Sequence, residues 1–465
     1  MIQKEGYNYN WLLLIRISLV AAMGGLLFGY DWVVIGGAKP FYELYFGISE
    51  NAGLQGWVMS CALVGCLMGV LASGAMSDRF GRKKLLLLSA ALFIVASIGT
   101  GYSDTLNEFI IYRIIGGIGI GLASNLSPLY IAEITPANVR GRFVSINQLT
   151  LVIGILAAQL INWQIAEPVA ENISSSDLLL SWNVQTGWRY MFYICAIPAL
   201  LFFLLMWLVP ESPRWLVQRK SNTVLAKKIL ASIGGSDFAE AEIQGFHNEN
   251  KLNPAVGISA VKDSKYHKII FIGIVIAVFQ QWCGINVIFN YADEIFSQAG
   301  YGVSDILFNI VITGVVNLIF TIAGMLTVDK WGRRFLMLAG SAALAIVYTC
   351  MGFLYYFNVQ GLPLLILVVL GIGSFAMTLG PVTWVLLSEI FPGRIRAVAM
   401  SIATFALWVA CFVLTYTFPL LNKWLEASGT FWLYGIICVA GGLFVYKNLK
   451  ETKGRSLEEI EQDLN

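Results

Sequence analysis

Twelve stretches of the chain are apolar over about 20 residues or nearly so, the length an α-helix needs to cross the hydrocarbon core of a bilayer. They fall, within a few residues, at 11–38, 54–76, 84–103, 108–132, 143–166, 188–209, 267–297, 305–328, 334–357, 363–390, 396–418 and 429–449. The one long hydrophilic interruption, 210–266, separates the sixth from the seventh. The pattern predicts an all-α polytopic membrane protein of two six-helix bundles, 1–209 and 267–449, joined by a cytoplasmic linker at 210–266 and followed by a tail at 450–465. Within the linker Leu225, Ile229 and Ile233 recur at helical spacing with Lys227 and Lys228 between them, so short amphipathic helices against the bundles are expected.

Composition agrees with that class: 57% of the 465 residues are hydrophobic and only 12% charged, against roughly 25% charged in soluble domains. The net charge of +2 gives no basic face for nucleic acid. The placement of the cations is more informative, because Lys and Arg concentrate in cytoplasmic loops. Arg79, Arg82, Lys83, Lys84, Arg140, Arg142, Lys330, Arg333, Arg334, Arg394 and Arg396 share one side, whereas the opposite loop at 167–187 carries Glu167, Glu171 and Asp177 without a Lys or Arg. Both termini are therefore expected in the cytoplasm. The first apolar stretch lacks a cleavage site and reads as a retained helix. Cys61, Cys66, Cys195, Cys283, Cys350, Cys411 and Cys438 lack the paired spacing of a metal knuckle or disulfide framework and are expected to be free, buried thiols. No metal or cofactor is expected. Asn172-Ile173-Ser174 would be a glycosylation acceptor only in a eukaryote.

Two patterns recur at nearly half the chain length. Asp78-Arg79-Phe80-Gly81-Arg82-Lys83 returns as Asp329-Lys330-Trp331-Gly332-Arg333-Arg334, and Glu133-Ile134-Thr135-Pro136 with Arg140 returns as Glu389-Ile390-Phe391-Pro392 with Arg396. One basic turn is ordinary topology; two motifs repeated in register point to duplicated halves rocking about a central site. Asp78, Arg82, Glu133, Arg142, Asp329, Arg334, Glu389 and Arg396 are the expected cytoplasmic gate, with the glutamates and arginines pairing across helix ends when the protein faces outward.

A few polar groups lie at membrane depth. Asp31 sits in Gly24-Gly25-Leu26-Leu27-Phe28-Gly29-Tyr30-Asp31, and an acid there costs roughly 2.5–3.5 kcal/mol on insertion scales, so it needs a partner, a proton or a task. Arg113 lies at similar depth in the fourth stretch, given ~1.5 Å of rise per residue, and can pair with it or snorkel outward. The seventh stretch carries Gln280, Gln281, Asn286 and Asn290 around Gly284. An amide offers donor and acceptor together, as each sugar hydroxyl does, although helix-to-helix bonding is the alternative. Trp384, one turn after the break expected at Gly380-Pro381, and Trp408 lie away from the interfacial belts and can stack on a sugar's C–H face or simply pack. Small-residue pairs, Gly65 with Gly69 and Gly117 with Gly121, are expected to let helices approach closely.

These residues resemble the sugar porter family of the major facilitator superfamily over essentially the whole chain. The resemblance is carried by Gly25–Asp31, the two charged turns, Tyr112-Arg113, Pro128–Glu133, Asn147-Gln148, Pro210–Leu216, Gln280–Asn286, Gly380–Pro392 and Glu451-Thr452-Lys453-Gly454. It implies the major facilitator fold, with helices one, four, seven and ten lining a cavity. It further implies that Gln148, Gln280, Gln281, Asn286, Trp384 and Trp408 contact sugar, that Phe28 is a cavity aromatic, and that Asp31 and Arg113 are the proton-coupling pair; Asn290 and Asn317 are expected in the same substrate-binding set as further amides. Four departures bear on substrate and coupling: Leu407 where relatives often have Gln or Asn, Ile155 for a glutamine, Asn290 for the first of two tyrosines, and Cys195 for a glutamate. The expected protein is not an enzyme: it is a cell-membrane transporter working as a monomer, with a monosaccharide, a proton and the lipid bilayer as its partners. A facilitative uniporter is the alternative, with a sugar sensor third because the tail is short.

Overall fold

Asn10 and Asn51 start the first two long helices by accepting the N–H groups of Leu13 and Leu54 at 3.1 Å each, and Thr105 with Glu108 forms a reciprocal capping box at the start of the fourth. The computed structural model describes residues 7–169, 175–220, 222–252, 263, 266–392 and 395–453. The side chain of Asp329, with Arg394, Gly454, Glu171 and the Asn172-Ile173-Ser174 site, lies outside the described residues. The first half comprises α1 (Trp11–Tyr45), α2 (Ala52–Phe80), α3 (Arg82–Tyr102), α4 (Leu106–Ile134), α5 (Arg140–Ile165), the short α6 (Ser175–Leu180), a single π-helical turn and α7 (Trp188–Leu208). In the linker lie α8 (Pro213–Lys220) and α9 (Thr223–Leu252). The second half is α10 (His267–Trp282), α11 (Ile285–Asn290), α12 (Ala292–Gln298), α13 (Val303–Trp331), α14 (Arg333–Tyr356), α15 (Leu362–Met377), α16 (Leu379–Ile390) and α17 (Arg396–Asn448).

Among the described residues eleven helical runs are long and apolar enough to cross a membrane, and the last, Val398–Asn448, has 51 residues. At ~1.5 Å per residue that is more than twice a bilayer core. Glu426, with φ 58° and ψ 176°, turns the chain there, so α17 makes two crossings and the expected twelve are reached. The seventh crossing breaks at Gly284, whose φ of 87° is left-handed and open to glycine at least cost. The tenth breaks at Thr378, three residues before the expected Pro381, because the proline ring clashes with a helical carbonyl four residues earlier, at Met377, where α15 ends.

Glycine sets the helix spacing in the first half. Gly65 and Gly69 of α2 face Gly117 and Gly121 of α4 so closely that a Cβ would meet the opposing glycine Cα at 3.0 Å. Gly25, Gly29 and Gly154 likewise seat α1 on α5, against Asn147, Leu151 and Leu26. This contact fixes the roll of α1 and turns Asp31 toward α4. The linker packs less uniformly than its spacing suggests: Ile229 and Ile233 are buried, but Leu225 is exposed, because α9 meets the bundle over a narrower face. Six cysteines are buried, and Cys350 is exposed on the outside of α14.

Candidate functional site

The two charged turns are duplicated down to individual hydrogen bonds. Gly81 (φ 95°) and Gly332 (φ 86°) connect antiparallel helices, and each leaves room for a carboxylate that any side chain would displace. Glu211 accepts the N–H groups of Arg82 and Lys83 at 3.0 and 3.1 Å; Glu451 accepts those of Arg333 and Arg334 at 2.9 and 3.0 Å. Next in line Arg82 bonds Glu133 at 2.9 Å and Ser212 donates to Glu133 at 2.6 Å, while Arg333 bonds Glu389 at 2.9 Å and Thr452 donates to Glu389 at 2.6 Å. Lys450-Glu451-Thr452 is therefore the structural counterpart of Pro210-Glu211-Ser212.

Glu389 is held by Arg333, not by Arg334, which donates to the Tyr446 carbonyl at 2.9 Å. Counting from the glycine of each turn pairs Arg82 with Arg333, a signal already in the sequence. Arg396 donates to the Phe391 carbonyl at 3.1 Å, Asp78 lies 3.6 Å from Arg82, and Arg142 is exposed. The pairs Arg82–Glu133 and Arg333–Glu389 each join two helix ends of one half.

Burial pushes the Glu211 carboxyl above the ordinary carboxylate range, despite the backbone N–H groups of Ser212, Lys83 and Arg82 that favour its anion. At Glu451 burial acts in the same direction, but the N–H groups of Lys453, Arg333, Arg334 and Thr452 outweigh it and hold the carboxyl low. The charge on Glu451 thus contributes stability above the ordinary range, and that contribution is lost as pH falls through its lowered value. On acidification Glu211 is expected to take a proton first. Carboxyl carbon shifts of 13C-labelled protein, followed through a pH titration, should show the two glutamates titrating in that order.

At membrane depth Arg113 donates Nη1 to Asp31 Oδ1 at 2.8 Å and Nη2 to the Asp31 carbonyl at 3.5 Å. Both residues are buried, at 4% and 3% exposure, so Arg113 does not snorkel. Asp31 Oδ2 and Arg113 Nε carry no hydrogen bond. Gly116 leaves room beside the pair, and the Phe192 ring lies 5.7 Å from the guanidinium. Cys195 is buried on α7.

Across the opening from α1, the break at Gly284 brings the amides together. Gln281 Nε2 donates to Gln280 Oε1 at 2.6 Å, and Asn286 Nδ2 donates to Gln281 Oε1 and lies 3.5 Å from Cys411 Sγ. Phe28 and Trp32 of α1 both touch Trp408 of α17, with ring centroids 5.7 and 6.2 Å apart. Asn290 is buried with its Oδ1 unbonded and lines, with Trp32, Cys66 and Arg113, a small cavity between the halves. Gln148 is half-buried on α5, Asn317 buried on α13 and Trp384 exposed on α16. Among the described residues none of these three hydrogen-bonds to the amide chain. Trp32 was not singled out in the sequence; its place one turn after Phe28 is the only signal for it.

The halves press together at the face opposite the termini. There Gly36 of α1 packs on the Phe289 and Asn290 carbonyls, Gly56 of α2 on the backbone of Tyr416, and Gly314 of α13 on Gln159 of α5. Lys39 of α1 and Asp293 of α12 bond at 3.0 Å, an ionic contact beyond the apolar pattern that had defined the first stretch. Its charges ended the stretch at Ala38, yet α1 continues to Tyr45.

A family model described as sugar (and other) transporter matches residues 17–464. The chain belongs to the sugar transporter family. It is 40% identical to the D-xylose-proton symporter of Escherichia coli over 98% of this chain and 96% of that protein. It is 39% identical to the arabinose-proton symporter of Bacillus subtilis over 96% of this chain and 94% of that protein. Its fold superposes on the inward open conformation of the E. coli xylose transporter with a TM-score of 0.83 and 38% identity, covering 97% of this chain and 99% of that one. This sugar transporter is thus a multi-pass membrane protein with the twelve-helix architecture of that structure.

Proposed function

We propose that the chain takes up a pentose or hexose together with a proton, by alternating access of one central site to the two faces of the membrane. The observation that carries this reading is the Asp31–Arg113 pair, bonded at 2.8 Å on the same helix whose Phe28 and Trp32 touch Trp408 across the cavity. A titratable carboxylate and a neutral, amide-lined site thereby share one moving part, α1. The chain's similarity to a D-xylose-proton symporter and an arabinose-proton symporter supports both the substrate class and the coupling. In this assignment Gln280, Gln281 and Asn286 hold sugar hydroxyls, with Gln148, Asn290 and Asn317 as further polar contacts. Phe28, Trp384 and Trp408 supply apolar faces, and Asp31 carries the proton. The face bearing the termini is cytoplasmic, by the placement of its Lys and Arg residues, and the molecule works as a monomer.

Ile155 and Leu407, at 6% and 2% exposure, put apolar groups where the resemblance implies hydrogen-bonding side chains, which would narrow the hydroxyls the site can satisfy. Counterflow into proteoliposomes, run with a panel of labelled pentoses and hexoses, tests the substrate class. Efficient exchange of at least one aldose is expected; failure of every aldose would refute it.

The charged turns act as the cytoplasmic latch in the opposite conformation, where glutamate and arginine can meet across the halves. Glu389→Lys is expected to favour the cytoplasm-open state. A shift of about 1.4 kcal/mol would change the population ratio about tenfold. Spin-label distances across the cytoplasmic face should lengthen; unchanged distances would remove the latch.

A further inference from the structure

Three carboxylates surround one ammonium at the face opposite the termini. Lys39 Nζ lies 3.0 Å from Asp293 Oδ2, 3.6 Å from Glu43 Oε2 and 3.6 Å from Glu294 Oε2. The side chains of Lys39, Glu43 and Asp293 are 4%, 7% and 9% exposed, and that of Glu294 is 23% exposed. The cluster draws on four helices and both halves: Gln55 of α2 donates to Glu43 Oε2 at 3.1 Å, and Asn422 of α17 donates to Glu294. If every group ionised, one positive charge would face three negative ones in a site where only Glu294 keeps partial access to water. Carboxylates so placed cannot all remain charged, because each excess anion is desolvated and repelled by its neighbours. Each of the two most buried acids has one bonded oxygen and one orphan, Glu43 Oε1 and Asp293 Oδ1. A proton can settle on either without displacing an existing bond.

We propose that Lys39, Glu43, Asp293 and Glu294 form a proton-binding site separate from Asp31, filled when the face opposite the termini closes. With the halves apart, Glu43 and the Asp293–Glu294 pair would sit on different surfaces, each solvated and ionised. Closure brings them to one ammonium and takes up a proton. The closed state then binds more protons than the open one. Low pH therefore favours closure, fully below the ordinary carboxylate range, and the effect is lost as pH rises through the higher value of the closed cluster. The other charged or titratable groups facing the cluster are the phenols of Tyr42, Tyr291 and Tyr355, with the Tyr434 phenol beyond Tyr291 and the Arg113 guanidinium beyond Tyr42. None of these changes charge between about pH 5 and 8. On the orientation proposed above this face is external, so the gate would answer to the proton supply that drives uptake.

The test uses full-length Asp31→Asn protein, so its outcome does not depend on Asp31 being the coupling carboxylate. Exposed Cys350 is replaced by Ser, and spin labels are attached through Cys at the exposed positions Ser49 and Ser297, one on each half. Between about pH 8 and pH 5 the closed population should rise, with the closed-to-open ratio changing by up to about tenfold per pH unit for one linked proton. Glu43→Gln with Asp293→Asn leaves one ammonium facing one carboxylate and should flatten the dependence, with the gate closed throughout. Infrared difference spectra should show a protonated carboxylic acid in the closed Asp31→Asn protein and none from this site in the double substitution. A pH-independent gate in the Asp31→Asn protein, an unchanged slope in the double substitution, or the lack of the acid band would each overturn the proposal.

Discussion

Asp31→Asn is expected to abolish accumulation of sugar against its gradient while leaving binding and counterflow in place. The argument begins with charge. In the present conformation the Asp31 anion is compensated by Arg113 at 2.8 Å, with both groups withdrawn from water. An arginine keeps its proton under these conditions, so any motion that loosens the contact leaves a buried, uncompensated anion, and uptake of a proton by the acid is the relief available. Restoring the contact expels that proton. Since α1 also carries Phe28 and Trp32, which touch Trp408 of the other half, the proposed coupling requires α1 to shift against α4 within the first half as the sugar site opens, which would move Asp31 relative to Arg113. Asparagine is uncharged at every step and has no proton to exchange. The sugar site keeps its amides, so downhill exchange continues. Proteoliposomes with an imposed pH gradient would show the difference, and uphill uptake surviving in Asp31→Asn would return Asp31 to a structural role.

Gln281→Ala is expected to weaken sugar binding by about tenfold or more. Gln281 is the middle member of the amide chain, donating to Gln280 and accepting from Asn286. Each hydrogen bond from a neutral amide contributes about 0.5–1.5 kcal/mol net, and an orphaned buried partner costs further. Loss of Gln281 removes its proposed contact with sugar and leaves two neighbours without their present partner, and 1.4 kcal/mol is already about a factor of ten. Gln280→Ala and Asn286→Ala, at the ends of the chain, should have smaller effects. Isothermal calorimetry with the transported sugar distinguishes these cases. Unchanged affinity in all three would remove the amides from the site.

Most of the membrane architecture was legible in the sequence because a bilayer imposes one length and one polarity on each crossing. The break in the tenth crossing was legible through Pro381, although its position depended on the carbonyl the proline excludes; Gly284 marked only a weak point in the seventh, where the chain in fact breaks. Legibility failed where charge and apolar periodicity disagree. Lys39 and Glu43 look like the end of a membrane segment, and only the approach of Asp293 and Glu294 from 250 residues away makes them a continuation of α1. The arginine bound to Glu389 could have been found by aligning the two turns on their glycines. Gln148, Asn317 and Trp384 could not have been placed relative to the amides by spacing, since they stand on three different helices.

The measurement that bears most directly on the account is proton movement upon sugar addition. In weakly buffered proteoliposomes at zero initial pH gradient, an inward sugar gradient should carry protons with it, alkalinising the outside medium in step with sugar entry, and Asp31→Asn should leave the sugar movement and abolish the pH change. Sugar entry by the unmodified protein without any proton movement would contradict proton symport and identify a facilitative uniporter instead.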